Sequence, residues 1–269
     1  MILFISGVLL VIIFSLGWVY ARRINNVSLV DAMWALALPI PVILYLYAHD
    51  GWWVRQILLG VMAVMWSFRL GSHLMNRIVS HHPKEDARYA KLRKMWEDKY
   101  SDKPQRVQVN FLIIFIINAI LVFLLSQPFY AAAQVDGIFK EIEIVGLVVF
   151  IIGWIGEMMS DYQLNKFKKL KKSGEITDTV CQLGLWNYSR HPNYFFESVI
   201  WVGIYLFCAT TLLGITTIYA PIIITFLLIK VTGIPSLEKS MLQSKGEAYQ
   251  RYQDSTSAFV PWFKKSKQS

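Results

Sequence analysis

The sequence predicts an all-α fold, a polytopic integral membrane bundle of about seven transmembrane helices. Two observations indicate it. Of the 269 residues, 55% are hydrophobic and 17% are charged. In soluble domains, about 45–50% of the residues are apolar and about 25% are charged. The apolar residues also gather in runs of similar length, separated by polar segments. This pattern argues against an ordinary soluble domain and against a disordered chain.

Seven apolar runs are each close to the ~20 residues that an α-helix needs to cross hydrocarbon. They cover residues 2–20, 29–48, 54–74, 109–130, 142–159, 194–213 and 216–232. Pro39 and Pro41 predict a kink in the second run. Because no internal repeat recurs, we expect one membrane domain over 1–269, with N-terminal helices and an inner loop in 1–130 and a C-terminal region in 131–269.

The basic residues predict the orientation of these helices. Nearly all of the 27 Lys and Arg residues fall in the loops after the first, third and fifth runs and in the C-terminal tail; the exceptions are Arg55, Arg69, Lys140 and Lys230. Because cytoplasmic loops carry an excess of Lys and Arg, we expect the N-terminus outside and the C-terminus in the cytoplasm. This distribution of basic residues accounts for the net charge of +9, so we expect no nucleic acid as a partner. We expect an active face on the cytoplasmic side of a bacterial inner membrane, or of the endoplasmic reticulum membrane in a eukaryote.

A polar stripe continues from the fifth apolar run into the following loop. At about 100° per residue, Glu157, Asp161, Asn165 and Lys168 fall on one narrow face of a continuing helix. Two carboxylates, an amide and a cation on one face suit a polar ligand with hydroxyl and amide groups. A solvated continuation of a membrane helix explains the same residues equally well.

The loop before the sixth run combines features of an anion site. Pro192 is expected at the first helical position, which points the backbone N–H groups of Asn193 and Tyr194 at the loop, where the helix dipole favours an anion. Arg190 stands beside them with a planar guanidinium that matches a phosphate. We therefore expect a diphosphate site at this helix start.

Glu197 lies one turn beyond Asn193, at membrane depth, where an unpaired carboxylate is costly. The amide of a bound ligand is one partner that would satisfy it. A buried structural pair with a neighbouring Tyr or Trp is the alternative.

The run Gly-Leu-Trp-x-Tyr-Ser-Arg-His-Pro-Asn-Tyr-x-x-Glu, from Gly184 to Glu197, resembles the DUF1295 group of membrane proteins. That group is related to the C-terminal domain of the steroid 5α-reductases, within the isoprenylcysteine methyltransferase-like superfamily. The resemblance extends over most of the chain through shorter matches: Asp31, Trp34, Trp66, Arg69, Glu85-Asp86-x-Arg88-Tyr89, Asp161, Gln163, Phe167, Trp201-x-Gly203, Gly233-Ile234-Pro235-x-Leu237-Glu238, Tyr249, Tyr252 and Pro261-Trp262. Phe196 departs from the family pattern, which usually has glycine before the glutamate.

The resemblance implies a seven-helix membrane reductase that binds NADPH on its cytoplasmic side and reduces the conjugated C=C bond of a hydrophobic enone, steroid- or lipid-like. It places six residues where the steroid reductases contact the dinucleotide: Glu157, Asp161, Lys168, Asn193, Glu197 and Glu238. Glu157 there replaces an amide and Glu238 replaces a histidine. The complete expected cofactor site is Glu157, Asp161, Asn165, Lys168, Arg190, His191, Asn193, Tyr194, Glu197, Glu238, Tyr249 and Tyr252. Since no Gly-x-Gly-x-x-Gly follows a strand, helix ends would have to hold the dinucleotide.

Reduction of an enone also needs a donor that stabilises the developing enolate oxygen. Asp31 is the first catalytic candidate, if burial keeps its carboxyl group protonated, and Tyr89 is the second. Asp31 fits equally well as a helix-start residue next to Ser28.

Two other functions fit parts of the pattern. Membrane methyltransferases that use S-adenosylmethionine, of the isoprenylcysteine or phospholipid type, also carry Arg-His-Pro-x-Tyr before a helix. They share a Glu…Tyr-x-x-Tyr pattern like that of Glu238, Tyr249 and Tyr252. A transporter or scaffold fits less well, because the sequence shows no internal repeat and its polar groups gather at one face.

We expect a hydrophobic small molecule or lipid as substrate and membrane lipids as surroundings. No metal is expected, because the nearby His and acidic residues lack the spacing of a metal site; they are His81, His82, Glu85 and Asp86. Residues 265–269 have the form of a dilysine retrieval signal or of a solvated basic end.

Overall fold

The first part of the chain is a bundle of long apolar helices with one polar helix between them. The computed structural model describes residues 1–231 and 233–264 and divides the chain into two compact units, of which the first is Met1–Ile138. Its helices are α1 (Ile2–Arg23), α2 (Leu29–Leu36), α3 (Pro39–Ala48), α4 (Trp53–His81), α5 (Ala87–Lys99) and α6 (Pro104–Ala133). The predicted kink is present as the break between α2 and α3, where Pro39 begins the new helix.

The core of the first unit lies between α1 and α6. Phe14, Phe111 and Phe115 are fully buried there. One buried polar group, the hydroxyl of Tyr45 on α3, is satisfied by the hydroxyls of Ser6 (3.0 Å) and Ser126 (3.1 Å). Such bonds between helices stabilise membrane bundles, where water is not available to polar groups.

The polar helix α5 is fixed to the turn between α1 and α2. Glu85 accepts a hydrogen bond from the backbone N–H of Val27 (2.8 Å) and two from the guanidinium of Arg93 (2.8 and 3.0 Å). Asp86 caps the helix by accepting from the backbone N–H of Arg88 (3.0 Å). These bonds position Tyr89, in the first turn of α5.

The second unit begins at Phe139. Its helices are α7 (Glu141–Ser173), α8 (Pro192–Cys208), α9 (Leu212–Thr216), α10 (Tyr219–Phe226), α11 (Ile234–Lys245) and α12 (Glu247–Ser255), with a 3₁₀ turn at Gly184–Asn187 and a π-helical segment at Leu227–Val231. Within the described ranges no strand occurs; two residues, Ser189 and Ser257, form an isolated bridge.

Helices α7 and α8 lie along each other with their backbones in close contact. A Cβ added to Gly146 of α7 would come within 2.3 Å of the backbone nitrogen of Phe207 in α8. Small residues permit such close approach of membrane helices, so the polar end of α7 and the start of α8 are held side by side.

Six helical stretches among the described residues are long and apolar enough to cross a bilayer: Ile2–Arg23, Leu29–Ala48, Trp53–His81, Pro104–Ala133, Glu141–Ser173 and Leu212–Lys245. The prediction of an all-α membrane protein is therefore confirmed. The sixth predicted run corresponds to α8, whose 17 residues span about 25 Å, less than the ~30 Å of a hydrocarbon core. The orientation in the membrane and the single-domain organisation stay predictions. Position 232, which ends the seventh predicted run, and the tail 265–269 lie outside the described residues.

Candidate functional site

The polar stripe lies on one continuous helix. Because α7 runs unbroken from Glu141 to Ser173, Glu157, Asp161, Asn165 and Lys168 share a face as predicted. Glu157 is buried, Asp161 is half-buried, and the other two are exposed. The stripe therefore passes from the apolar part of the helix out to solvent.

The loop after α7 is tied back to this helix at two points. The backbone N–H of Leu185 donates to Oε1 of Gln163 (2.8 Å), and Nε1 of Trp186 donates to the backbone oxygen of Ser160 (2.9 Å). These bonds hold the 3₁₀ turn beside the point where the apolar part of α7 ends.

Arg190 is engaged within the protein. Its Nε donates to Oε1 of Glu238 (2.6 Å), and its Nη1 donates to the backbone oxygens of Gln253 (2.9 Å) and Thr256 (2.5 Å). Its side chain is 10% exposed. The sequence suggests an anion-binding guanidinium here, but two of its three nitrogens serve the protein itself. Arg190 joins the loop before α8 to the segment from α11 to the end of α12.

Glu238 collects donors from three side chains. Besides Arg190, it accepts from Nε2 of His191 (3.2 Å) and from Nε2 of Gln253 (3.0 Å). Since an ionised carboxylate can only accept, the contact with His191 assigns the ring proton to Nε2. The other ring nitrogen, Nδ1, is then an acceptor in the neutral ring.

The first turn of α8 presents polar atoms that the described chain leaves unsatisfied. His191 is 1% exposed, and its ring lies parallel to that of Tyr194, with centroids 5.5 Å apart and an angle of 8°. Nδ1 of His191 and Oδ1 of Asn193 are buried and have no hydrogen-bond partner among the described residues. Leaving a buried acceptor unsatisfied costs about 1–3 kcal/mol. A ligand with N–H or O–H donors would supply both bonds, so these residues fit a polar ligand of that kind.

Glu197 has a protein partner. It is 4% exposed, and its Oε1 accepts from Nε1 of Trp201, one turn further along α8 (3.0 Å). This is the pair with tryptophan that the sequence leaves open as an alternative. A contact of Glu197 with a cofactor would therefore have to coexist with this bond.

Phe196 fills the groove between α8 and α7. A Cβ on Gly156 would come within 2.3 Å of Cδ1 in its ring. A glycine on α7 therefore accommodates the phenylalanine that departs from the family pattern. The ring takes up space next to Glu157, which follows Gly156 on α7.

Tyr249 and Tyr252 stabilise the loop. Both are buried, and the hydroxyl of Tyr252 donates to the backbone oxygens of Trp186 and Ser189, the latter at 3.2 Å. Burial raises the pKa of Tyr252, and burial together with the charge of Glu238 raises the pKa of Tyr249 to about 12. Both phenols therefore stay protonated at neutral pH, and that of Tyr252 acts as a donor to the loop backbone.

The first unit holds a polar cluster of its own around Asp31. Oδ1 of Asp31 accepts from the hydroxyl of Tyr89 (2.6 Å), and Oδ2 accepts from Nη2 of Arg88 (2.6 Å) and of Arg77 (3.5 Å). All of these partners are donors, so Asp31 acts as an acceptor in each contact. A protonated Asp31 that donates to a substrate, the first sequence expectation, finds no support in this geometry.

Tyr89 contributes a buried phenol to this cluster. It is 8% exposed, and burial together with the charge and the hydrogen bond of Asp31 raises its pKa well above the ordinary value. The phenol therefore remains a hydrogen-bond donor over the physiological pH range.

Comparison with known proteins assigns the family. The profile of the family described as "Protein of unknown function (DUF1295)" matches residues 17–256. The chain belongs to the DUF1295 family. A similar curated protein, Uncharacterized protein C594.04c of Schizosaccharomyces pombe, is 24% identical over 283 residues, which cover 96% of this DUF1295 chain and 79% of the yeast protein.

Two steroid dehydrogenases match a shorter stretch of the DUF1295 protein. The enzymes named 3-oxo-5-alpha-steroid 4-dehydrogenase 2 from Homo sapiens and from Macaca fascicularis are each 35% identical to it over 75 residues, 28% of this chain and 28% of the enzyme. No solved structure matches the chain significantly. The DUF1295 protein is thus locally similar to these two enzymes over little more than a quarter of their length.

Sequence reasoning misses several partners in both clusters of this DUF1295 protein. Gln253 and Thr256, which bind Arg190, carry no motif signal of their own. Arg88, by contrast, precedes Tyr89 in a run that matches the family, and this was the available signal for its pairing with Asp31.

Proposed function

We propose that this DUF1295 protein is a membrane-embedded oxidoreductase that uses NADPH to reduce the conjugated C=C bond of a hydrophobic enone, steroid- or lipid-like. The observation that carries the proposal is the local similarity to 3-oxo-5-alpha-steroid 4-dehydrogenase 2. The helices of membrane-spanning length support an apolar substrate, because such a molecule concentrates in the bilayer.

The start of α8 supports a dinucleotide as the cofactor. The buried acceptors on His191 and Asn193 require donors, which the carboxamide and ribose hydroxyls of a nicotinamide nucleotide provide. The backbone N–H of Asn193 lies in the first turn, where α-helices have no internal acceptor, and it suits a phosphate oxygen. NADPH, when bound, supplies a hydride.

The stripe on α7 extends the proposed cofactor site. Asp161 and Asn165 offer oxygen acceptors for hydroxyl and amino groups, and the ammonium group of Lys168 offers charge for a phosphate. Glu157, Tyr194 and Glu197 remain proposed contacts. Four residues instead shape the site through their bonds to the loop or to one another: Arg190, Glu238, Tyr249 and Tyr252.

Tyr89 is the proposed proton donor to the enone oxygen. Reduction adds a hydride to the β-carbon, and the electron pair moves to the carbonyl oxygen, so an enolate must be stabilised before a proton reaches the α-carbon. The hydroxyl of Tyr89 bonds to Asp31 in this structure and must turn toward a substrate oxygen to act. When the hydroxyl turns away, Arg88 and Arg77 still balance the negative charge of the Asp31 carboxylate. Asp31 is thus a positioning residue.

The surroundings follow from the same proposal. The protein is an integral membrane protein. We assign it to a bacterial inner membrane, or to the endoplasmic reticulum membrane in a eukaryote, with the cofactor site on the cytoplasmic face and a lipid-soluble substrate entering from the bilayer.

A parallel assay tests the proposed function. Purified protein in detergent is given NADPH with a 4-en-3-one steroid and, separately, radiolabelled S-adenosylmethionine with a phospholipid or isoprenylcysteine acceptor. We expect NADPH oxidation matched mole for mole by the saturated ketone, with loss of both in the Asn193→Ala variant. Asn187→Ala is the matched control, since Asn187 lies in the 3₁₀ turn outside the proposed contacts. Methyl transfer without NADPH oxidation would replace the reductase proposal with the methyltransferase alternative.

A further inference from the structure

The segment after α12 folds back along the loop that precedes α8. The backbone N–H of Arg190 donates to the oxygen of Ser257 (2.8 Å), and the hydroxyl of Ser189 donates to the oxygen of Phe259 (2.8 Å). The backbone N–H of Trp262 donates to the oxygen of Tyr188 (2.9 Å). This extended segment therefore follows the loop for several residues.

The outer side of this segment carries exposed aromatic rings. Trp262 is 66% exposed, Phe263 is 76% exposed and Tyr188 is 41% exposed. The ring centroids of Tyr188 and Phe263 lie 6.2 Å apart, and those of Trp262 and Phe263 lie 6.3 Å apart, both edge to face. A contiguous aromatic surface left open to water is unfavourable and indicates an interaction site.

The level of this surface along α7 identifies what covers it. The loop is bonded to Ser160 and Gln163, just past the apolar run 142–159 that is expected to span hydrocarbon. The ring of Phe259 also lies 5.7 Å, edge to face, from that of Phe195 in the first turn of α8. The rings are therefore at the depth where membrane helices leave the hydrocarbon, the level that Trp and Tyr prefer.

The charges nearby agree with that location. Lys264 follows the rings directly, is exposed, and donates to Oε1 of Gln182 (2.6 Å). The sequence continues with two more lysines, Lys265 and Lys267. Basic residues beside an aromatic surface favour a membrane with anionic headgroups over an apolar protein partner.

We propose that Tyr188, Trp262 and Phe263 form an aromatic anchor that inserts into the headgroup region of the bilayer. The three rings are covered by the bilayer on the side where α7 extends beyond its apolar run. The anchor holds the extended segment in place and, through the bonds of that segment to Ser189 and Arg190, holds the loop before α8. The inference does not depend on which reaction the protein catalyses.

Fluorescence quenching in liposomes tests the anchor. In the Phe263→Cys variant, an environment-sensitive fluorophore is attached to the introduced thiol. The Gln250→Cys variant, changed at an exposed position of α12, is labelled in the same way and is the matched control. Both natural cysteines, Cys181 and Cys208, are buried, and the unaltered chain serves as the labelling blank. In vesicles containing anionic lipid, we expect lipids with a quencher near the headgroup to remove most of the fluorescence at 263, while aqueous iodide removes little. The label at 250 should show the opposite pattern.

Two results would overturn the proposal. Quenching of the 263 label by iodide as strongly as that of the 250 label would show that the rings stay in water. Protection of the 263 label from both quenchers, lost in nanodiscs that hold one copy of the chain, would show that a second copy covers the surface. A Trp262→Cys label gives an independent reading at the neighbouring ring, and a monodisperse elution profile of each labelled protein shows that it is folded.

Discussion

Tyr89 and Asp31 share a hydrogen bond of 2.6 Å in which the phenol is the donor. The two residues lie 58 positions apart and meet because Asp86 and Arg88 fix the start of α5 near α2. Two arginines already balance the carboxylate, so the phenol can leave it without stranding an unpaired charge. In this pair Tyr89 donates the hydrogen bond, and we propose its phenol as the proton donor to the substrate.

Replacing Tyr89 by phenylalanine tests that role. Tyr89→Phe keeps the buried ring and removes the proton, so we expect kcat to fall by about 10²–10⁴-fold while KM changes little. Tyr100→Phe is the matched control, because Tyr100 packs against the same apolar cluster. Steady-state kinetics with the enone substrate measure both. An unchanged kcat in Tyr89→Phe would remove it from the chemistry.

Replacing Asn193 and Glu197 tests the cofactor site. Asn193→Ala removes the buried Oδ1 and is expected to abolish NADPH binding with the fold intact. Glu197→Gln retains an oxygen acceptor for Trp201, so it should fold, and it should also lose NADPH binding if its charge contacts the cofactor. Equilibrium titration with NADPH measures the affinity, and Asn187→Ala should bind as the unaltered protein does. Unchanged affinity in both site variants would disprove the assignment.

The close contact between Gly156 and Phe196 predicts a compensating pair. Gly156→Ala places a methyl group against the ring of Phe196, which should lower stability by about 1–3 kcal/mol and reduce the thermal unfolding midpoint. Adding Phe196→Ala should restore much of the loss, since the ring is then gone. Gly7→Ala is the control, because its Cβ would meet Phe123 only at 3.7 Å, an ordinary contact. Additive losses in the double variant would mean that the two positions do not interact.

We predict that the stability of the protein depends on the geometry of the Arg190 guanidinium as well as on its charge. Arg190→Lys keeps the charge but cannot reach Glu238, Gln253 and Thr256 together, so we expect a clear fall in the unfolding midpoint. Arg251→Lys is the control, since its exposed pair with Glu247 at 3.5 Å contributes little. Equal midpoints for the two variants would show that the loop does not depend on Arg190.

Local features of the fold and site could be predicted from the sequence. The apolar runs, the continuity of α7 past Glu157 and the position of Pro192 at the start of α8 depend on residues within a few turns of each other. Hydrophobic length and helical period capture such relationships directly. The family resemblance is likewise confirmed by the profile match.

Pairings across helices could not be predicted. Arg190 and Glu238 are 48 residues apart, and whether a guanidinium faces a ligand or a carboxylate of its own chain is decided by packing. The same reason explains why Asp31 accepts hydrogen bonds from Arg77 and Arg88 of its own chain. Helix length is a third property that could not be predicted. The apolar run at α8 is long enough to predict a full membrane span, but the helix has only 17 residues.

The identity of the nucleotide that the purified protein carries shows most directly whether it is an NADPH-dependent reductase. Protein isolated without added cofactor is denatured, and the released small molecules are identified by mass spectrometry, with Asn193→Ala processed in parallel. We expect NADP or NADPH from the unaltered protein and none from the variant. Release of S-adenosylhomocysteine, or equal release of NADP from both proteins, would contradict it.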